Sequence, residues 1–299
     1  MSATTAAGAA ASGGRSRRPV PPEIRRRRLL LAIANHSVAI ALSIAFLLPF
    51  VFILATSLMT NQQMGSLSIW PSPFKWSNFT DLFEFFPFWR YAWNSLLYAG
   101  LGTVGVVLSG IPVAYALSRL QWRGRQAAFM LVLSTLMLPP QVTIVPLYII
   151  FVRLGWIGSL KPLIVPLFFG DAFTIFLLRQ FFMTIPQELS DAARVDGAND
   201  LQILLRVIVP LAKPAIAAVA LFNFLYCWND FFSPLLYAGN NPDTWTLAIS
   251  LQQLTQLSRG ILANLQMAAS ILFTLPVIII FFFAQKVFVE GVTLTGVKG

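Results

Sequence analysis

The sequence predicts an all-α integral membrane protein with six transmembrane helices. Of its 299 residues, 57% are hydrophobic and only 11% are charged, and the mean hydropathy is +0.73. Soluble domains carry about 25% charged residues, so this composition excludes an ordinary globular protein. Six apolar stretches reach the length of roughly 20 residues that a helix needs to cross the hydrocarbon core. Such spans are helical, because a helix satisfies its own backbone hydrogen bonds in lipid.

The six predicted spans follow the apolar stretches in chain order. We place them near residues 31–58, 94–118, 127–151, 161–183, 212–237 and 264–288. The fourth and fifth each contain a single acid, Asp171 and Asp230, which we place near the outer ends of these spans. An ionisable residue within a span is costly and is by default a functional candidate.

The net charge of +10 is explained by orientation in the membrane. With a cytoplasmic N-terminus, sixteen of the 21 Lys and Arg residues fall on the inner side. The five on the outer side are Lys75, Arg90, Arg153, Lys161 and Arg259. This asymmetry is the positive-inside pattern, and it predicts that both termini are cytoplasmic. The basic charge therefore indicates topology in a cell membrane and not nucleic-acid binding.

Residues 1–28 are rich in Ala, Ser, Gly, Arg and Pro and offer nothing to bury, which predicts a disordered basic cytoplasmic tail. The apolar stretch after Arg28 exceeds the core of about 7–15 residues of a signal peptide, so we expect it to remain as an anchor. Residues 29–299 are then one six-helix membrane domain. The single Cys227 and the single His36 indicate neither a disulfide nor a metal site.

A polar insert, residues 186–213, lies on the inner side between the fourth and fifth spans. Pro186 suits a helix start, and Glu188 lies in the first turn, where a carboxylate favours the positive end of the helix dipole. Gly197 is a plausible left-handed residue just after the helix end. The side chains predicted to share one face of this helix are Leu189, Ala192, Ala193 and Asp196.

A second helix of the insert is predicted to begin after Asn199 or Asp200, since either residue can cap it. Its predicted apolar side consists of Leu201, Leu204, Leu205 and Ile208. Two interpretations are open at this point. The insert is either a docking surface for another protein, which small Ala192 and Ala193 let approach closely, or an interfacial helix pair that packs against neighbouring spans.

The pattern Asp191-Ala192-Ala193-x₃-Gly197-x₉-Val207-x-Val209-Pro210 resembles the EAA loop of bacterial ABC importer permeases, Glu-Ala-Ala-x₃-Gly-x₉-Ile-x-Leu-Pro. The spacing is intact, and the three departures keep charge or branching. Further segments are similar to the carbohydrate-uptake subfamily that includes maltose and glycerol-3-phosphate permeases. They are Asn94–Leu96, Ala114–Arg119, Phe176–Phe182, Ala192–Ala198, Trp228–Asp230 and Gly296–Gly299.

This resemblance implies one half of a membrane channel that pairs with a similar permease subunit. It also implies two ATPase subunits inside and a solute-binding protein outside. The insert would then be a coupling helix seated on the ATPase, and the residues implied in coupling are Glu188, Asp191, Ala192, Ala193, Arg194, Asp196, Gly197 and Pro210. No Gly-rich phosphate loop is present in the sequence, so ATP and Mg²⁺ belong to the partner and we expect this chain to bind no cofactor.

Two polar groups within the spans are candidates for the substrate path. Trp228 offers an aromatic face, while Asn229 and Asp230 offer hydrogen-bond acceptors, a combination that suits a sugar. Gln141 and Thr143 follow Pro139-Pro140, and transporter helices often break where they line a cavity. For Asp230 an alternative stays open, in which it lies at the outer interface and pairs with Arg259 or contacts the binding protein.

We therefore expect a transport subunit, not an enzyme, that translocates a sugar delivered by a binding protein. The alternative is the same architecture importing a glycerophosphodiester or another polar solute, but the spans hold almost no cations for a phosphate. A membrane enzyme is disfavoured by the absence of catalytic motifs from the sequence, and an ion channel by the absence of rings of charge.

Overall fold

A computed structural model describes residues 22–66, 69–85, 87–238, 241–258 and 262–295. All regular structure within these ranges is helical, which confirms the predicted class. The chain divides into two units, residues 1–52 and 53–299. In the first unit the described part is a single apolar helix, and its side chains from Arg26 to Phe52 are exposed throughout.

The helices are α1 (Pro22–Ser57), α2 (Asn61–Met64), α3 (Asn78–Phe85), α4 (Phe88–Ser118), α5 (Arg125–Leu136), α6 (Pro140–Arg153), α7 (Lys161–Ile164), α8 (Ala172–Thr184), α9 (Gln187–Val195), α10 (Asp200–Ile203), α11 (Val209–Leu211), α12 (Lys213–Asn229), α13 (Phe232–Ala238), α14 (Leu247–Ser258) and α15 (Ala263–Thr295). Short 3₁₀ helices cover Val165–Phe169 and Pro242–Thr244, and a π-helical turn covers Leu204–Ile208.

Four helical segments are long and apolar enough to cross a membrane: Arg26–Ser57, Phe88–Ser118, Lys161–Thr184 and Ala263–Phe283. Two more candidates are helix pairs, with α5 and α6 bent by 94°, and residues 200–211 and α12 bent by 78°. The described residues thus contain six spans if each bent pair counts as one, in agreement with the predicted number.

The third predicted span, 127–151, is not one continuous helix. It breaks between Leu136 and Pro140, and Pro139 there has an extended backbone (φ −61°, ψ 133°). Proline lacks an N–H and disfavours helical geometry in the residue before it, so two consecutive prolines end α5 and start α6 in a new direction.

The fourth and fifth spans also break, and their acids lie at the breaks. The segment 161–184 is interrupted at Gly170, and Asp171 caps α8 there, so Asp171 lies within the segment and not at its outer end. The predicted fifth span, 212–237, stops after 17 helical residues at Asn229, and Asp230 is extended before α13 begins.

The predicted tail extends seven residues too far. Because α1 begins at Pro22, residues 22–28 are helical. The rest of that predicted tail, residues 1–21, lies outside the described residues.

Helix α4 runs through the centre of the second unit. Its first half contributes Tyr98 to one buried apolar cluster, and its last turn contributes Tyr115 to a second cluster with α8 and the insert. Gly105 allows the 3₁₀ helix Val165–Phe169 to approach α4, since a Cβ at this position would lie 2.6 Å from the Phe168 ring. Small residues permit such close contact between helices in lipid.

Two fully buried side-chain amides, those of Asn78 and Asn264, form hydrogen bonds at the end of the bundle opposite the insert. The Asn78 Nδ2 donates to the carbonyls of Ser57 and Met59, both at 2.8 Å. Asn264 Nδ2 donates to Met59 O at 3.0 Å and to Asn78 Oδ1 at 3.2 Å. The pair therefore holds the chain after α1 against the starts of α3 and α15.

Replacing Asn78 with Leu should destabilise the second unit. The substitution removes this donor from the buried Ser57 carbonyl, one of two donors from the Met59 carbonyl, and one of two acceptors from Asn264 Nδ2. Each buried group that loses its partner costs about 1–3 kcal/mol. Thermal unfolding in detergent should show a lower Tm than for Gln62→Leu, a control on an exposed amide. Equal melting temperatures for the two variants would contradict this account.

Candidate functional site

The first helix of the insert, α9, ends in a regular C-terminal motif. Pro186 precedes it with an extended backbone, and Glu188 lies exposed in the first turn. Gly197 has φ +81°; its N–H donates to Arg194 O at 3.0 Å, and that of Ala198 donates to Ala193 O at 2.9 Å. These two bonds form a Schellman motif, which satisfies carbonyls that the helix leaves open. The predicted role of Gly197 in the backbone is therefore confirmed.

Of the two predicted caps for the second helix, Asn199 is the one used. Its Oδ1 accepts from Gln202 N at 2.9 Å, and Gln202 Oε1 accepts from Asn199 N at 2.9 Å. This reciprocal pair is a capping box, which satisfies two backbone donors at once. Both helix ends at the turn are thus closed by local hydrogen bonds, from which we infer that the insert is stiff.

Arg194 links the two helices of the insert. Its guanidinium lies 3.0 Å from the Asp191 carboxylate on the same helix and 3.2 Å from the Asp200 carboxylate on the next. The hydrogen bond to Asp200 raises the pKa of Arg194 above its ordinary value. All three side chains are exposed, and such pairs contribute about 0–1 kcal/mol. Arg194 and Asp191 therefore pair with each other instead of presenting isolated charges.

The predicted apolar side of the second helix is wrong in part. Ile203, Leu204 and Ile208 are buried, whereas Leu201 and Leu205 are 64% and 56% exposed. The π-helical turn at Leu204–Ile208 accounts for the burial of Ile203 beside Ile208, because its i to i+5 spacing places the two on the same side.

Five large apolar side chains of the insert are exposed. We call four of them the apolar tip: Leu189, Val195, Leu201 and Leu205; the fifth, Leu211, ends α11. Val195 is the most exposed, at 89%. Of the remaining predicted coupling residues, Ala192, Asp196 and Pro210 are exposed and Ala193 is half-buried. The apolar tip is exposed although charged side chains such as Asp191, Arg194 and Asp200 lie in the same insert, so a partner protein could contact it.

A cavity of about 460 Å³ lies among α4, α6, α12, α13 and the 3₁₀ helix Val165–Phe169. It brings Asp230 together with Gln141 and Thr143, as the substrate-path prediction requires. The Tyr98 hydroxyl donates to Asp230 Oδ2 at 2.9 Å, and Ser233 N donates to Asp230 Oδ1 at 3.1 Å. Sequence reasoning missed Tyr98, because an aromatic residue within an apolar span carries no distinctive pattern.

Trp228 does not line this cavity. It is buried, its Nε1 donates to Phe273 O at 3.2 Å, and its ring stacks on Phe224 and Phe273 at centroid distances of 5.6 and 5.7 Å. The expectation that Trp228 offers a free face to a sugar is therefore wrong. Asn229 lines a second, separate cavity of about 330 Å³ with Gln252 and Gln266.

The two acids in the spans act as helix caps. Asp171 accepts from Thr174 N at 2.7 Å at the start of α8, and Asp230 does the same for Ser233 N. A carboxylate at a helix N-terminus is stabilised by the backbone donors and the dipole. Arg259, the suggested partner of Asp230, lies outside the described residues.

The family model for the inner membrane component of binding-protein-dependent transport systems matches residues 106–294. The chain is 33% identical over 263 residues to the arabinooligosaccharides transport system permease protein AraQ of Bacillus subtilis, covering 86% of this chain and 92% of the relative. It is 31% identical over 270 residues to the sn-glycerol-3-phosphate transport system permease protein UgpE of Pectobacterium atrosepticum, covering 87% and 95%.

Among solved structures, the fold is similar to a bacterial ABC transporter involved in the import of the acidic polysaccharide alginate. The TM-score is 0.77 at 25% identity, covering 87% of this chain and 97% of the other. A second match is a bacterial alginate ABC transporter in complex with a periplasmic protein that holds an alginate pentasaccharide. Its TM-score is 0.61 at 20% identity, over 88% and 94% of the two chains, which supports the fold.

Gly197→Val should loosen the end of α9. A left-handed backbone costs a non-glycine residue about 1–2 kcal/mol, so hydrogen exchange of the amides at Gly197 and Ala198 should quicken by roughly tenfold. Gly197→Asn is the matched control, because Asn tolerates this conformation. Unchanged exchange in the valine variant would show that the turn does not depend on glycine.

Proposed function

This chain belongs to the family of inner membrane components of binding-protein-dependent transport systems, and on that premise we propose that it is one half of the membrane channel of a sugar importer. The other half would be a second, similar permease subunit. Family membership confirms the predictions of a multi-pass membrane protein and of a transport subunit in place of an enzyme.

The observation that carries the proposal is the stiff insert with its apolar tip. A Schellman motif and a capping box hold its turn in one backbone conformation, the exposed Arg194 ion pairs add little to this, and Val195 and Leu201 remain exposed. We infer that two ATPase subunits, which hold ATP and Mg²⁺, provide the clefts that cover this tip and its counterpart on the sister permease. The insert then lies on the cytoplasmic side, together with both termini.

Coupling in this arrangement is a rigid-body movement. Closure of the ATPase dimer displaces the insert, and a stiff insert transmits that displacement into α8 and α12 without bending. Nucleotide binding shifts the populations of inward- and outward-facing states only through contacts that differ between them. The apolar tip and the residues around Asp191 supply such contacts.

A sugar is the solute class that the cavity favours. Its polar lining consists of hydroxyl, amide and carboxylate groups, and no Lys or Arg is among the described residues that line it. A phosphate-bearing solute requires cations to replace its hydration, so a glycerophosphodiester remains the alternative and not the first choice. One of the named relatives belongs to a transport system for arabinooligosaccharides, which are sugars. Another belongs to a transport system for sn-glycerol-3-phosphate, which carries a phosphate.

Val195→Asp should weaken association with the ATPase subunits. Burying an apolar side chain contributes about 1.5–3 kcal/mol and burying an unpaired carboxylate costs more, so we expect at least a tenfold loss of co-purified ATPase and of uptake. Gln126→Asp adds the same charge to an exposed position on α5, outside the insert, and should leave both unchanged. Full recovery of ATPase with Val195→Asp would refute docking at the tip.

Thr143→Val should raise the sugar concentration needed for half-maximal uptake. A lost hydroxyl contact is worth about 0.5–1.5 kcal/mol, or roughly threefold to tenfold in affinity. Thr135→Val is the control, since both hydroxyls donate to a carbonyl three residues earlier but only Thr143 lines the cavity. Uptake is followed with a panel of radiolabelled oligosaccharides; equal curves for the two variants would remove this cavity from the sugar path.

A further inference from the structure

Two buried arginines join α4 and α8 near the insert. Arg119, the first residue after α4, is 5% exposed, and its Nη2 donates to the carbonyls of Phe182 and Ile185 at the end of α8. Its Nη1 donates to Gln187 Oε1 at 2.7 Å, on the first residue of α9. One side chain therefore contacts three consecutive parts of the chain.

Arg179 makes the reverse connection. It lies on α8, is 8% exposed, and its Nε donates to Leu117 O at 3.0 Å, in the last turn of α4. Its guanidinium carbon lies 3.8 Å from the centroid of the Phe129 ring on α5. Each of the two helices thus supplies an arginine to the carbonyls at the other's C-terminal end, and we call this pair the reciprocal clamp.

Electrostatics explains why arginines occupy these positions. The last carbonyls of a helix have no partner within it, and each helix end carries about half a negative charge. Two such ends side by side repel, and a cation aimed at each one removes the repulsion. Within the described part of the chain neither arginine has a carboxylate within ion-pair distance, so the carbonyls are their main partners.

The clamp also spans a potential hinge. Between α8 and α9 the chain has two extended residues, Ile185 (φ −73°, ψ 131°) and Pro186 (φ −55°, ψ 137°). Such a link alone does not fix the angle between the helices on either side. Arg119 contacts the carbonyls of Phe182 and Ile185 on the α8 side and the Gln187 side chain beyond the link.

We propose that Arg119 is a positioning residue that locks the Ile185–Pro186 link, so that the insert, α4 and α8 move as one body when the ATPase displaces the insert. This inference rests on the proposed function and adds the element that carries the movement into the spans. Arg179 holds α4 against α8, and Arg119 holds the insert against both. Sugar movement then depends on the clamp, whereas ATPase docking does not.

Arginine is suited to this task in a way that lysine is not. Its planar guanidinium presents donors in fixed directions, which lets one group bridge two carbonyls and an amide oxygen. Lysine keeps the charge at a single flexible point. Arg119→Lys therefore separates the charge from the geometry, and Gln187→Leu removes only the contact beyond the link.

The test uses the complete transporter in nanodiscs or proteoliposomes, with its binding protein and an oligosaccharide for which the wild type shows uptake. Arg119→Lys should keep co-purified ATPase and basal ATP hydrolysis within about twofold, while sugar moved per ATP falls at least tenfold. Gln187→Leu should give a smaller fall in the same ratio, and Arg123→Lys, on the exposed loop after α4, should match wild type. Wild-type coupling in both Arg119→Lys and Gln187→Leu overturns the clamp.

Spin labels at Gln121→Cys and Leu189→Cys give an independent readout of the link. The native Cys227 is 2% exposed and does not compete for the label. The distance distribution between the labels should widen in Arg119→Lys and in Gln187→Leu, even if one variant is produced poorly. An unchanged distance distribution in whichever of the two variants folds contradicts the clamp. Absence of the ATPase from the wild-type complex refutes the proposed function instead.

Discussion

Every backbone group that a helix break exposes inside a membrane protein has to find its partner within the protein, because hydrocarbon offers none. This constraint accounts for four charged side chains within the bundle. Asp171 and Asp230 accept from backbone N–H groups where helices restart, and Arg119 and Arg179 donate to carbonyls where helices stop. These charged side chains therefore lie at helix ends, where backbone N–H and C=O groups need a hydrogen-bond partner.

The same breaks create the space that a solute needs. The cavity that contains Asp230 is lined by residues from three interruptions, at Pro139-Pro140, before Gly170 and at Asp230 itself. Continuous helices would have filled this space with packed side chains. Discontinuous helices are typical of transporter sites, since they present backbone and polar groups at the middle of the membrane. The cavity and the caps therefore have a common structural origin.

Much of this architecture was predictable from the sequence, because hydropathy and local capping depend on neighbouring residues. Six apolar stretches, the left-handed Gly197 and the Asn199 cap are examples. The predictions that were wrong concern features that depend on tertiary packing. A π-helical turn brought Ile203 to the buried side of the second insert helix, and packing against Phe224 and Phe273 occupied the ring of Trp228.

The candidate site was predictable only in part for the same reason. Gln141, Thr143 and Asp230 were identified from polarity near a proline pair and from one acid in a span, and the fold brings them together. Arg119 was identified only as a positive charge on the inner side and as the last residue of the resembling segment Ala114–Arg119, since its acceptors lie more than sixty residues away in the chain. No local pattern reveals such a partner.

The hydrogen bond between the Tyr98 hydroxyl and Asp230 has a consequence for how long a solute stays. On the proposed sugar path, a hydroxyl that takes the phenol's place on Oδ2 gains one hydrogen bond while the phenol gives one up, so the net number of hydrogen bonds hardly changes. Such an exchange gives recognition without a deep energy well. A short residence time suits a conduit, in which a solute has to leave as readily as it enters.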